Sequence, residues 1–299
     1  MNDKFNVGAT ASVARILSEA FAEDLGVAGD ITTKTIFTEN PPAKAVIRAK
    51  ESGVLSGAKL IKPAFHYLDK NARVSVLKSD GELLENGTVI AEIEGGIHTI
   101  LAAERTILNL LQHLSGIATA TQTLAKKIAH TNAKVIDTRK TTPTLRFLEK
   151  EAVIHGGGEN HRFGLYDMIL IKDTHIAAVG GRPAEAVIRA RQNSAKLGIS
   201  AKIEVEVQNL REFDEALSAN PDRIMLDNMS TADMKSAVEK RNADASTGSA
   251  TIKPQIEIEA SGGINENTIT EIAETGVDFI SVGALTHSVK SLDIHLKIL

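Results

Sequence analysis

From Val135 onward the chain alternates six times between a short β-branched or aliphatic run and the sequence that follows it, most often a helical pattern; this alternation restricts the fold more than any other feature. The runs are Val135–Ile136, Met168–Ile171, Ile203–Val207, Ile224–Leu226, Ile256–Glu259 and Phe279–Val282, and helical patterns lie at Pro183–Leu197, Leu210–Ala219, Thr231–Arg241 and Glu266–Glu274. Strand and helix in alternation bury a parallel sheet beneath helices, wound open or closed into a barrel. Polar residues gather at one end of these runs. Asp137, Arg139 and Lys140 follow the first, and Lys172 and Asp173 the second; Glu204 and Glu206 lie within the third. Asp227 and Asn228 follow the fourth, Ser261-Gly262-Gly263 the fifth and Gly283 the sixth. One charged turn residue is ordinary in any α/β protein. Six strand ends in register point to an α/β barrel whose chemistry sits on its C-terminal face, because (β/α) barrels build their active sites from the loops after the strands.

The part before Val135 has another texture. Val13, Ile16, Leu17, Ala20 and Phe21 recur at helical spacing and predict an amphipathic helix. After Pro41-Pro42 come β-like runs at Ala45–Ala49, Val74–Leu77 and Val89–Ile93, separated by turn signals such as Ser79-Asp80-Gly81 and Glu85-Asn86-Gly87, so this part reads as α+β. Gly81–Glu94 is similar to the hairpins of lipoyl or biotinyl carrier domains, but its turn has no Lys to modify and is read as structural. Ile97–Ala129 reads as long helical sequence interrupted near Gly116. The 299 residues are about twice the ~150 expected of one domain, and divide into 1–116 and 117–284, with 285–299 expected to pack back on the first. The small, polar segment Asn242–Thr251 is expected to be a surface loop.

Composition removes several classes of function. Without Cys there is no disulfide, no thiolate nucleophile and no Cys-ligated metal, which fits a reducing cytoplasm. The absence of Trp, the 8 Phe and 2 Tyr, and a net charge of −4 leave little for base stacking and no global basic field, so no nucleic-acid partner is expected. Asp3, Lys4 and Arg15 interrupt the N-terminal region, which does not read as a signal peptide. Glu104, Arg105 and Gln112 break the most apolar stretch, Ile97–Leu114, so no membrane span is expected and the protein is read as cytoplasmic.

Within the polar strand ends, anion-binding chemistry dominates. Ser261-Gly262-Gly263 ahead of a helix and Val282-Gly283-Ala284 one unit later suit a phosphate, since glycines allow close backbone approach and helix-start amides attract anions; two tight turns would need the same glycines. Arg139, Lys140, Arg146, His161, Arg162 and Lys172 crowd the first third of the barrel, with Arg105 on the preceding helix. Cations held together in a net-acidic protein imply a polyanionic ligand; Arg suits carboxylates and Lys suits phosphate. Arg146 is equally served by a solvated surface pair, and His161 by a structural hydrogen bond. His161 has no His or Cys partner at zinc-ligand spacing. Glu204 and Glu206 share a strand face, and with Asp227 they suit Mg²⁺ beside a phosphate, or balance the lysines.

These residues resemble the quinolinate phosphoribosyltransferase family, the carboxylating nicotinate-nucleotide pyrophosphorylases. The resemblance lies in EDLGVAGDITT (Glu23–Thr33), AERTILNLLQHLSGIATAT (Ala103–Thr121), DTRKTTPTLRFLEK (Asp137–Lys150) and GGGENHRFGLYDMILIKD (Gly156–Asp173). It continues through IEVEV (Ile203–Val207), LDNM (Leu226–Met229), EASGGI (Glu259–Ile264) and VGALTHS (Val282–Ser288), in order over most of the chain. Two departures stand out: Glu151 where the family often has Tyr, and Thr174 where it often has Asn. The family implies an N-terminal α/β sandwich domain, an incomplete (β/α) barrel with its active site on the C-terminal face, and a homodimer with shared active sites. Carried over, Arg105 would reach the partner's quinolinate site, which Arg139, His161, Arg162 and Lys172 would line, and Lys140 would stand between the two substrates. Glu206 and Asp227 would serve Mg²⁺ and phosphoribosyl pyrophosphate, with Ser261, Gly262, Gly263 and Gly283 at phosphate.

The implied reaction joins the pyridine nitrogen of quinolinate to the ribose C1 as pyrophosphate departs, then releases CO₂ to leave nicotinate mononucleotide. Lys140, Glu206 and Asp227 would be the catalytic set, acting by position and charge without a protein nucleophile. Three alternatives compete: a molybdenum-locus relative with another substrate, a Schiff-base barrel aldolase using Lys172 or Lys140, and a non-catalytic binder of a phosphorylated ligand.

Overall fold

The alternating pattern forms a six-stranded parallel sheet in the computed structural model, which describes residues 4–247 and 256–299. The chain divides into two compact units. The first comprises Met1–Gln122, Thr141–Gly157 and Leu285–Leu299; the second comprises Thr123–Lys140 and Gly158–Ala284.

In the first unit, α1 (Lys4–Leu25) and α2 (Ile31–Ile36) precede β1 (Pro42–Ala49), β2 (Gly53–Val54), α3 (Ile61–Leu68), β3 (Arg73–Val76), β4 (Leu83–Leu84), β5 (Val89–Gly96) and α4 (Ile97–Lys127). β1 and β5 lie side by side and antiparallel; β3 pairs with the far edge of β5. The C-terminal strand, β12 (Ile294–Ile298), closes the other edge by pairing antiparallel with β1, Ala45 opposite Ile298. Ile47, Ile90, Ile93, Phe65 and Phe21 are fully buried, and the Phe21 ring stacks on Tyr67 at 5.2 Å. Removing such aliphatic and aromatic side chains from water stabilises the unit by about 1.5–3 kcal/mol each. The segment Gly81–Glu94 is not a hairpin: β4 pairs with β2, which leaves β5 to enter the sheet between β1 and β3.

Gly116 does not interrupt α4, which continues through it to Lys127. A Cβ at Gly116 would lie 2.3 Å from the Lys290 carbonyl oxygen, so glycine serves close packing of the returning C-terminal segment rather than a helix break. The unit boundary accordingly falls after Gln122, inside the helix, and the segment containing α5 (Arg146–His155) belongs with the first unit.

The second unit carries β6 (Lys134–Ile136), β7 (Ile169–Ile171), α6 (Asp173–Ala178), α7 (Pro183–Leu197), β8 (Ile203–Val207), α8 (Leu210–Ser218), β9 (Arg223–Asp227), α9 (Thr231–Thr247), β10 (Glu257–Ser261), α10 (Ile269–Ala273) and β11 (Phe279–Ser281). The strand order β6-β11-β10-β9-β8-β7 is a barrel circuit left open between β6 and β7. Local sequence sets the helices. Pro183 opens α7 at its first turn and Gly198, at φ +67°, ends it; Asn209 caps α8 by accepting the Glu212 N–H at 3.0 Å. The expected loop at Asn242–Thr251 is helical as far as Thr247, because Ala243 and Ala245 favour helix and no Gly intervenes before Gly248; the rest of that segment lies outside the described residues. α11 (Ala284–His287) follows β11. Among the described residues no helix is long and apolar enough to cross a membrane.

Candidate active site

Because the six strands are parallel, their C-terminal ends share one edge of the sheet. Asp137, Thr138, Arg139 and Lys140 leave β6 there; Lys172 follows β7, Glu206 lies near the end of β8, and Asp227 and Ser261 pair in register at the ends of β9 and β10. Val282 and Gly283 follow β11.

The cations are held together against their mutual repulsion. Half-burial and then the charge of Arg139 lower the pKa of the Arg162 guanidinium, whose Nη1 donates to the Met168 carbonyl at 3.1 Å. Lys172 caps the start of α6 and sends its Nζ to within 3.8 Å of Glu206 Oε2, with its side chain about half exposed. Lys140 is exposed, and its backbone N–H donates to Thr138 Oγ1 at 3.0 Å. Two guanidinium groups beside two ammonium groups can take a ligand with several anionic groups.

Burial raises the pKa of Glu206; Lys172 opposes that shift, while Asp227 and Asp173 add to it. Glu206 and its neighbouring carboxylates, at the mouth of a barrel, are a hard-oxygen donor set. They fit Mg²⁺, which takes one or two protein carboxylates together with phosphate oxygens.

The glycines stand differently from expectation. Gly262 at φ +97° and Gly263 at φ +64° are left-handed and do not open a helix; α10 begins only at Ile269, after a turn held by Asn265 and Thr268. A Cβ on Gly262 would lie 2.2 Å from Asn228 Oδ1. Asn228, itself at φ +54°, donates its N–H to the Ser261 carbonyl at 2.9 Å, so adjacent strand ends are locked in a tight backbone contact. Any phosphate held here would meet loop amides. Only Gly283 directly precedes a helix, the four-residue α11.

Below these residues lies a buried ionic network. His161 Nε2 is 3.1 Å from Glu204 and 3.4 Å from Glu259; Arg223 donates Nη1 to Glu259 at 3.0 Å and Nη2 to Glu257 at 2.9 Å, and its guanidinium lies 4.0 Å from the Phe279 ring centre. Burial alone would lower the His161 pKa, but Glu204 and Glu259 together raise it to about 9. The Arg162 N–H, donated to His161 Nδ1 at 2.7 Å, acts the other way because only an unprotonated Nδ1 can accept it. Burial, then the neighbouring Glu259, push the Glu204 pKa up to about 7. Burial would raise the Glu259 pKa, but the neighbouring His161 and then the charge of Arg223 outweigh it and hold Glu259 below the ordinary glutamate range. The metal-ligand atoms of His161, Glu204 and Glu259 lie within 4.8 Å of one another. Arg223 already supplies positive charge there, so Glu204 belongs to this network rather than to a shared cation site with Glu206.

Arg105 belongs to the first unit, on α4, with its side chain 68% exposed and its Nη2 3.8 Å from Glu104.

Two family models match the chain: "Quinolinate phosphoribosyl transferase, C-terminal domain" over residues 117–297, and the corresponding N-terminal domain over 30–115. The chain belongs to the quinolinate phosphoribosyltransferase family. It is 44% identical over 284 residues to a probable carboxylating nicotinate-nucleotide pyrophosphorylase of Bacillus subtilis, covering 95% of this chain and 92% of that protein. It is 46% identical over 286 residues to its counterpart in Methanocaldococcus jannaschii, covering 95% and 96%. The solved nicotinate-nucleotide pyrophosphorylase of Francisella tularensis superposes with a TM-score of 0.87 at 39% identity, over 97% of this chain and 96% of that one.

Arg223 and Glu259 lie outside the site residues expected of this quinolinate phosphoribosyltransferase family member. Their signal was present: Glu257 and Glu259 alternate along an otherwise apolar strand as Glu204 and Glu206 do, and a charge on the inward face of a buried strand needs a partner. Periodicity does not say which strand supplies it.

Proposed function

We propose that this chain transfers the phosphoribosyl group of phosphoribosyl pyrophosphate to quinolinate with decarboxylation, giving nicotinate mononucleotide, pyrophosphate and CO₂, a step of NAD biosynthesis. The observation that carries the reading is the pair Arg139 and Arg162, close enough for one cation to disfavour the other in a half-buried site, on a chain of this family. Two like charges held that way call for an anion, and quinolinate brings two carboxylates.

Arg139, Arg162 and Lys172 bind and orient the dicarboxylate; Lys140 supplies an exposed positive charge toward the pyrophosphate side. The C1–oxygen bond to pyrophosphate breaks as the pyridine nitrogen bonds to C1. The bond to the 2-carboxylate then breaks, CO₂ leaves, and the electron pair retained at C2 takes a proton. Glu206 and Asp227 would hold Mg²⁺ with phosphoribosyl pyrophosphate, with Ser261, Gly262, Gly263 and Gly283 beside its phosphates. Bound there, the ion would supply positive charge to pyrophosphate oxygens.

A homodimer in the cytoplasm completes the proposal. Val27, Ile31 and Ile36 are exposed around α2, which supports a covering partner, and exposed Arg105 is free to extend toward that partner's substrate. The lack of Cys suits a reducing compartment.

The test is incubation with quinolinate, phosphoribosyl pyrophosphate and Mg²⁺, following nicotinate mononucleotide and CO₂ in equal amounts. Chelating the metal should stop turnover and leave quinolinate binding intact. Absence of product from folded, quinolinate-exposed protein would overturn the assignment.

A further inference from the structure

We propose that His161 is a positioning residue that acts on quinolinate only through Arg162, and does not itself bind the substrate. The inference rests on the proposed reaction and revises one role within it.

The backbone around His161 is fixed from the open edge of the barrel. Glu159 bridges to β6, donating its N–H to the Val135 carbonyl at 2.8 Å, and the His161 N–H is accepted by the fully buried Asp137 carboxylate at 2.9 Å. The ring then has a partner on one side and two carboxylates within ion-pair distance on the other. A backbone amide can only donate, so the Arg162 N–H at 2.7 Å reserves the Nδ1 lone pair. The one remaining ring hydrogen is on Nε2, which faces Glu204 at 3.1 Å and Glu259 at 3.4 Å, and the side chain is only 6% exposed. No ring hydrogen is left for a substrate carboxylate.

The imidazole therefore transmits a constraint. Arg223 holds Glu259, the Glu259 and Glu204 carboxylates face Nε2 at ion-pair distance, and Nδ1 holds the Arg162 amide from which the guanidinium extends. That guanidinium has its other end tied to the Met168 carbonyl at 3.1 Å. Releasing Nδ1 should tilt Arg162 away from the geometry its carboxylate partner needs.

Two variants separate the two nitrogens. In His161→Gln the terminal amide reaches the Nε2 position and no acceptor remains for the Arg162 N–H; in His161→Asn the side-chain oxygen occupies the Nδ1 position and accepts it. His161→Gln should raise the quinolinate KM about tenfold, the scale of one lost hydrogen bond, with little change in the KM for phosphoribosyl pyrophosphate. His161→Asn should recover most of that loss. In an Arg162→Ala background the Gln substitution should have no further effect on quinolinate affinity measured by calorimetry. The same tenfold loss in both backgrounds would overturn the proposal, as would Asn being no better than Gln. Should the variants not fold, ¹⁵N-histidine spectra of the wild-type protein decide: an Nε2–H ring unchanged by saturating quinolinate supports it, and a ring that gains a hydrogen on Nδ1 overturns it. Wild-type protein unable to turn over quinolinate would instead sink the proposed function.

Discussion

Arg223 on β9 and Glu259 on β10 form a buried ion pair, Nη1 to Oε2 at 3.0 Å, in which the carboxylate has no solvent exposure. Breaking one side of such a pair strands the other charge in the interior. Glu259→Ala should therefore destabilise the fold by about 3 kcal/mol, the low end for a broken buried pair because Arg223 keeps Glu257 at 2.9 Å, whereas replacing the pair together, as Arg223→Met with Glu259→Leu, should cost less. Urea unfolding of these variants and of Arg223→Met alone checks this; a double loss equal to the sum of the two single losses would show that the charges do not depend on each other.

A second stability prediction concerns backbone strain. Thr142 to Leu145 form a β-turn, with the Leu145 N–H donated to the Thr142 carbonyl at 3.1 Å, Pro143 at its second position and Thr144 at φ +72° at its third. A turn with Pro second and positive φ third favours glycine, and a β-branched residue there is strained by about 1–2 kcal/mol. Glycine also enlarges the unfolded ensemble by up to about 1 kcal/mol, so Thr144→Gly should gain roughly 1 kcal/mol or slightly less. A lower melting temperature for this variant would contradict the strain.

The strands of the barrel were legible because hydrophobic runs and polar ends are local signals. Ile203–Val207 and Pro183–Leu197 fall at the observed boundaries. Gly116 misled because a glycine inside a helical pattern signals a break locally, while its reason for being there, the Lys290 carbonyl, lies 174 residues away along the chain. Arg139, Arg162 and Lys172 could be picked out by charge and motif, but the inward turn of His161 could not. Its partners Glu204 and Glu259, and the Arg223 that pairs with Glu259, come from three strands, and only the sheet order brings them together.

Asp30 gives a pH dependence of known sign. Its carboxylate caps α2, accepting the Thr33 N–H at 2.9 Å and the Thr33 hydroxyl, and those hydrogen bonds hold its pKa below the ordinary value of 3.8. A lowered folded-state pKa means the stabilisation is complete above about pH 3.8 and disappears as pH falls through the folded value. Asp30→Ala should cost about 1 kcal/mol near neutral pH, the usual worth of such a cap, and progressively less below pH 3.8. Denaturant titrations of both proteins across that range should converge on the acid side; a constant gap would assign the loss to something other than the ionised cap.

If Arg105 acts in a partner's site, inactive subunits should complement. Arg105→Ala and Lys172→Ala damage different contributions to a shared site, so a mixed dimer contains one site with both defects and one with neither. Random pairing makes half the dimers mixed, each with one intact site, and roughly a quarter of wild-type activity should return after exchange. Exchange proven by differently tagged subunits, without recovered activity, would place Arg105 outside the partner's chemistry.

Substrate choice gives the sharpest functional test. Arg139, Arg162 and Lys172 present three cations to the proposed ligand, and Arg139 already disfavours the charge on Arg162. Quinolinate relieves that repulsion with two carboxylates; nicotinate, which matches the pyridine part of the product, offers one. A site built around a polar group rejects the analogue lacking it by roughly 10⁴-fold or more, because its own donors are left without partners. The comparison is kcat/KM for the two acids at saturating phosphoribosyl pyrophosphate and Mg²⁺. Nicotinate should be a very poor substrate, and Arg162→Ala should narrow the gap by losing quinolinate turnover rather than by gaining nicotinate turnover. Comparable values for the two acids in the wild-type enzyme would mean that these cations serve something other than recognition of a dicarboxylate.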